Sequence, residues 1–136
     1  MSVVKEIIKL ENNNLCFGNY LLEEKNKVDN FIFENDKYKV KTYNEITRLE
    51  KNDKLIMETI PGSAIKNFNM SEKEISFSVE GLDDTQITFD LQANKNYEIE
   101  IDNVLIGTEK SNAFGKLSFS VSLTDTPKNI KIKLLD

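Results

Sequence analysis

From residue 75 onward, apolar side chains fall on every second position in five separate runs. Ile75, Phe77 and Val79 alternate with Ser76, Ser78 and Glu80. Ile87, Phe89 and Leu91 alternate with Gln86, Thr88 and Asp90. Tyr97, Ile99 and Ile101 alternate with Glu98, Glu100 and Asp102. Leu117, Phe119, Val121 and Leu123 alternate with Ser118, Ser120 and Ser122, and Ile130, Ile132 and Leu134 with Lys131 and Lys133. Successive side chains of a β-strand point to opposite faces, so each run gives one apolar face and one wet face. Antiparallel sheets packed on a single core need that pattern.

Turn-forming residues separate the runs. Gly81 to Asp84 and Asn94 to Asn96 divide the first three. Asp102-Asn103 predicts a tight hairpin into Val104 and Ile106, because both residue types tolerate the left-handed backbone of a two-residue turn. Asn112 to Gly115 predicts another hairpin, and Thr126-Pro127 precedes the last strand.

The first half is β-rich but less regular. Val3 to Leu10 carries both Val4/Ile8 and Ile7/Leu10 spacings, compatible with a strand or a short helix. A strand is favoured because Val and Ile dominate it. Leu15 to Leu22 reads as a strand bent at Gly18, and Leu21 to Lys27 is the best helical alternative. Phe31–Phe33 and Lys37–Tyr43 predict a hairpin across Asn35-Asp36. Glu45–Lys51 and Leu55–Ile60 predict a second across Asn52-Asp53. Pro61-Gly62-Ser63 is the most plausible boundary. The expectation is all-β: an N-terminal hairpin meander over residues 1–62, then a small β-sandwich over 63–136 with about seven short strands.

The residue inventory removes most catalytic chemistry. The 136 residues include no histidine. Ser-His-Asp and Cys-His nucleophile activation are excluded, as are the commonest zinc ligand and the usual neutral-pH proton shuttle. Cys16 is alone, so it forms no intramolecular disulfide, and between Leu15 and Phe17 it is expected to be a buried, inert thiol. The five glycines are scattered, with no phosphate-binding pattern. Glu98, Glu100 and Asp102 on one strand face, and Asp83-Asp84 in a loop, are the candidate acid–base groups. Alternating acids on a wet strand face are ordinarily the solvated side. No catalytic residue, cofactor or metal is expected.

The net charge is −5, and Arg48 is the one arginine. Lysines alternate with Glu and Asp, so no basic stripe exists to neutralise phosphates, and no nucleic-acid partner is expected. No membrane partner is expected either, because no run has the length of a membrane helix. The start lacks the long apolar run of a signal peptide, so the expected compartment is the cytoplasm. The abundance of Asn, Lys and Ile suits an AT-rich bacterial coding sequence. Among the aromatics, Phe77, Phe89 and Phe119 fall on expected core faces. Phe17, Tyr20, Tyr38, Tyr43 and Phe114 are the candidates for exposure.

Three segments carry a resemblance: Tyr97 to Asn103, Ile106-Gly107-Thr108, and Gly115-Lys116-Leu117-Ser118-Phe119-Ser120-Val121. From Pro61 onward the chain resembles the Ig-like β-sandwich modules at the C-terminal ends of bacterial glycosidases and polysaccharide lyases. The whole chain also looks like a family of small clostridial proteins labelled endosialidase-like. Sialidases use an arginine cluster to grip the sialic carboxylate, and lysine does not reproduce that planar clamp. With Arg48 alone, the resemblance implies an accessory fold and transfers no catalytic residue.

The expected function is therefore a non-catalytic structural or interaction protein. It is expected to be a homo-oligomer, self-associating through β-sheet edges, with Val3 to Leu10 as the best edge. The alternative is a carbohydrate-binding module, implied by the Ig-like resemblance. A glycan or a protein is the possible further partner.

Overall fold

A computed structural model describes residues 3–135. In chain order the strands are β1 (Ile8–Glu11), β2 (Asn14–Phe17), β3 (Asn26–Phe33), β4 (Asp36–Tyr43), β5 (Ile46–Lys51) and β6 (Lys54–Ile60). They continue as β7 (Ala64–Met70), β8 (Glu74–Glu80), β9 (Asp84–Asp90), β10 (Asn96–Ile101), β11 (Val104–Lys110), β12 (Lys116–Ser122) and β13 (Lys128–Leu135). They form two antiparallel sheets, one in the order β1-β2-β7-β8-β13-β10-β11 and one in the order β12-β9-β6-β5-β4-β3. The chain is an all-β sandwich. No helix among the described residues is long and apolar enough to cross a membrane.

The alternating runs explain the packing. Ile75, Phe77 and Val79 of β8, Ile87 and Phe89 of β9, and Leu117, Phe119 and Val121 of β12 are all buried. Their polar neighbours lie on the outer faces. The core is continuous: Phe17, Val40, Leu49 and Met57 belong to the same cluster as Ile65, Phe89, Ile99 and Ile132. The break expected near residue 62 is where the chain crosses from one sheet to the other. Residues 1–62 and 63–136 both contribute strands to both sheets, with β2 pairing with β7 and β6 with β9.

Several local expectations shift. The strand expected over Val3–Leu10 starts only at Ile8. Ahead of it the backbone turns, with Ile7 donating to Val4 O at 3.0 Å and Ile7 itself at φ 76°. The strand expected over Leu15–Leu22 ends at Phe17, because Gly18 has φ 101° and a Cβ there would stand 2.4 Å from Ser63 O. The helical alternative over Leu21–Lys27 does not form, and β3 begins at Asn26. Asn112 to Gly115 does not close a hairpin. It carries the chain from β11 in one sheet to β12 in the other.

Among the described residues, four two-residue turns have both central residues at positive φ: Asn12-Asn13, Glu34-Asn35, Asn52-Asp53 and Asp102-Asn103. That geometry matches the right-handed twist of hairpin strands, and Asn and Asp adopt it at low cost. Asn52 also ties two hairpins together. Its Oδ1 accepts from Lys37 N at 3.0 Å, and its Nδ2 donates to Asp36 Oδ1 at 2.9 Å. This bond, ahead of the nearby Lys51 charge, holds the Asp36 carboxyl below the usual carboxylate range. Asn52→Ala is expected to lower stability by about 1–2 kcal/mol, since alanine resists the left-handed backbone. The Asp36 titration followed by NMR should move upward in the same variant.

Candidate functional site

The acidic residues singled out in the sequence lie apart, on strand β10, at the turn beside it, and at and just before the start of β9. Glu98 and Glu100 lie directly across from Lys133 and Lys131 in the β10–β13 register, so the wet face is a ladder of opposite charges. Asp102 Oδ1 accepts from Asn129 N at 2.8 Å, and Asp84 Oδ1 accepts from Ser122 Oγ at 2.8 Å. Asp83 Oδ1 accepts from the Asp84 amide at 2.8 Å. Among the described residues, no group of three or more His, Cys, Asp and Glu side chains converges on a point that could hold a metal. Cys16 is a buried free thiol.

The aromatic residues divide differently from expectation. Phe77, Phe89 and Phe119 are buried as expected. Phe17, Tyr20 and Tyr38, expected to be exposed, are buried as well. Phe17 packs edge-on against Phe68, their ring centroids 5.8 Å apart, because β2 lies inside its sheet rather than at its edge. Tyr20 is drawn in by a 2.6 Å hydrogen bond from its hydroxyl to Glu80 Oε2, itself a buried group. Burial foremost, then this bond and the charges of Glu80 and Asp125, raises the Tyr20 phenol far above its ordinary pKa. Tyr43 is half-buried, and Phe114, at 84% exposure, is the one candidate fully in solvent.

Two surface features remain. One is the flank formed by β11 and β12, the adjacent edges of the two sheets. β12 pairs with β9 in unbroken register over all seven residues, and no strand among the described residues covers its other side. β11 is exposed along its whole length and presents Val104, Leu105 and Ile106 at 62%, 56% and 51% exposure. Its ladder to β10 slips between Ile99 and Glu100, which leaves Ile106 as an unpaired bulge residue. The other edges are weaker templates. β1 has only four residues, and β3 is broken between Val28 and Phe31. Regular alternation showed β12 to be a strand, but no local signal marks a strand as an edge.

The second feature is a cleft of about 520 Å³ at the end of the sandwich where the β1–β2, β3–β4 and β7–β8 connections meet. Leu15, Phe33, Tyr38, Ile56 and Phe68 form its apolar floor, drawn from both sheets. Asn13, Asn14, Glu34, Asp36, Lys51 and Glu72 are among its rim. Register breaks at Leu15/Phe17 in β2 and at Lys66/Asn69 in β7 flank it. Bulges of this kind bend strands and re-aim side chains. Sequence reading missed the cleft because its residues come from six strands and three turns.

No protein-family model, curated protein or solved structure matches this chain.

Proposed function

We propose that this chain is a non-catalytic interaction protein that self-associates through β12. The observation that carries this reading is an edge strand of seven residues, unbulged, without proline, and with a single charge at Lys116. Proteins ordinarily blunt such an edge with bulges, charges or a covering segment. The best edge is β12 rather than the N-terminal strand expected from sequence, since β1 is too short to pair firmly.

The geometry of the pairing follows from the alternation. Two copies related by a two-fold axis at Phe119 set Ser118 opposite Ser120 of the second copy and Leu117 opposite Val121. Core-facing residues then stay on the core side in both copies, and the two six-stranded sheets join into one. The same axis brings the two exposed β11 edges together, so apolar surface on that strand is covered as well. Exposed apolar side chains clustered in this way commonly mark association surfaces.

The test is the mass of the full chain in solution by light scattering. The wild type should run as two chains. Ser118→Lys combined with Ser120→Lys puts like charges opposite one another at the junction and should give one chain with an unchanged far-ultraviolet spectrum. A wild-type monomer at the highest soluble concentration sinks the reading. So does a dimer that survives the double substitution.

A further inference from the structure

We propose that the cleft between the hairpin tips holds a basic side chain, lysine or arginine, presented by a peptide partner. The site is independent of the β12 edge and uses none of its residues. Its volume of about 520 Å³ lies within the range of ordinary ligand pockets.

Three observations on different groups converge on a cation. First, Tyr38 is only 8% exposed and lines the cleft, yet its hydroxyl has no hydrogen-bond partner among the described residues. No side-chain polar atom sealed from solvent lacks a partner among the described residues, so this hydroxyl opens to the cleft, where an occupant can bond it. Second, Phe33 and Tyr38 place their rings 6.4 Å apart and tilted by 40°, giving two aromatic walls beside the opening. Aromatic faces attract ammonium and guanidinium groups, and the apolar stem of either side chain suits the floor. Third, the charges are unbalanced. Asp36 is engaged by Lys51 at 3.4 Å and by Asn52, but Glu34 and Glu72 have no cation within 4.0 Å among the described residues.

The charges beside Tyr38 act on its phenol in second place. Burial, then the Asp36 and Glu34 charges, raise its pKa above the ordinary value. Negative potential that keeps a proton on Tyr38 also favours a ligand cation. An anion is repelled there, and a neutral sugar gains nothing from the two glutamates.

Backbone amide NMR of the intact chain, titrated with blocked tripeptides centred on lysine, arginine or glutamate and with a neutral trisaccharide, tests the proposal. Saturable shifts at the cleft should appear with the lysine or arginine peptide alone, with a Kd of order 0.1–1 mM as suits a single anchoring side chain. Glu34→Gln with Glu72→Gln should weaken that binding roughly tenfold, and added salt should weaken it further. Tyr38→Phe, which keeps the ring, should weaken it about threefold. The Ser118→Lys/Ser120→Lys chain should bind as the wild type does, whichever way its assembly state falls. Absence of saturation by either basic peptide overturns the proposal. Equal binding of the glutamate peptide or the trisaccharide at these residues overturns it too, as does binding indifferent to the loss of Glu34 and Glu72.

Discussion

Phe89→Ala is expected to lower the unfolding free energy by about 3–5 kcal/mol, the range found when a large buried aromatic side chain is truncated. Phe89 is fully buried and stands where the two sheets meet. Its cross-strand partners are Met57 on β6 and Leu117 on β12, and across the core its ring lies 5.8 Å from that of Phe77 on β8. Phe77 continues to Phe68 at 6.0 Å, and Phe68 to Phe17 at 5.8 Å. The ring is therefore the end of an aromatic row that crosses three strands of one sheet and reaches into the other. Strand backbones hydrogen-bonded on both sides cannot collapse into the vacated space, so most of the cavity persists. Domains of this kind are held by only about 5–15 kcal/mol, so the loss is a large share of the total. Urea titration should show a lower midpoint with an unchanged slope. Phe114→Ala, at an exposed position, should move the midpoint by no more than about 0.5 kcal/mol equivalent. A cost below about 1 kcal/mol at Phe89 would contradict the single shared core.

Tyr20→Phe should cost about 1.5–3 kcal/mol while keeping the ring volume intact. The substitution removes one oxygen, the donor of the 2.6 Å bond to Glu80 Oε2. Glu80 is only 2% exposed, so solvent cannot replace that donor without opening the structure. Glu80→Gln keeps an oxygen acceptor for the Tyr20 hydroxyl and should cost less. The pair also has a signature in pH. The folded state holds the Tyr20 proton far more tightly than the unfolded chain, whose phenol titrates near 10.0. Between those two values the native state binds more protons, so stability falls as pH rises. The contribution is fully present below about pH 10 and is lost progressively above it. Tyr38, raised in the same direction, adds a smaller slope of the same sign. Denaturation at increasing alkaline pH should therefore show a steep fall in the wild type and a shallower one in Tyr20→Phe. Equal slopes would remove Tyr20 from the account.

Strand identity was readable wherever a run of apolar residues alternated, as in Ile75–Val79 or Leu117–Leu123, because the two-residue period belongs to the strand backbone itself. Hairpin turns at Asn52-Asp53 and Asp102-Asn103 were readable for a similar reason, since few residue types accept positive φ at two successive positions. The Asn12-Asn13 turn has the same chemistry, but the strands it joins, β1 and β2, are only four residues each and carry little alternation to mark it. Asn112–Gly115 had hairpin chemistry without a hairpin. Gly115, at φ 88°, is there because a Cβ would stand 2.2 Å from Leu91 O, a contact between segments far apart in the chain.

Local sequence thus settled that the chain is all-β, where most strands lie, and that histidine-dependent chemistry is absent, because those properties depend on neighbours within a few residues. Sheet assignment, the free edge at β12, the burial of Tyr20 against Glu80 and the cleft over Tyr38 were decided only by the tertiary structure. Each joins segments that loop closure brings together from distant positions, and alternation says which face a side chain takes without saying what stands across from it.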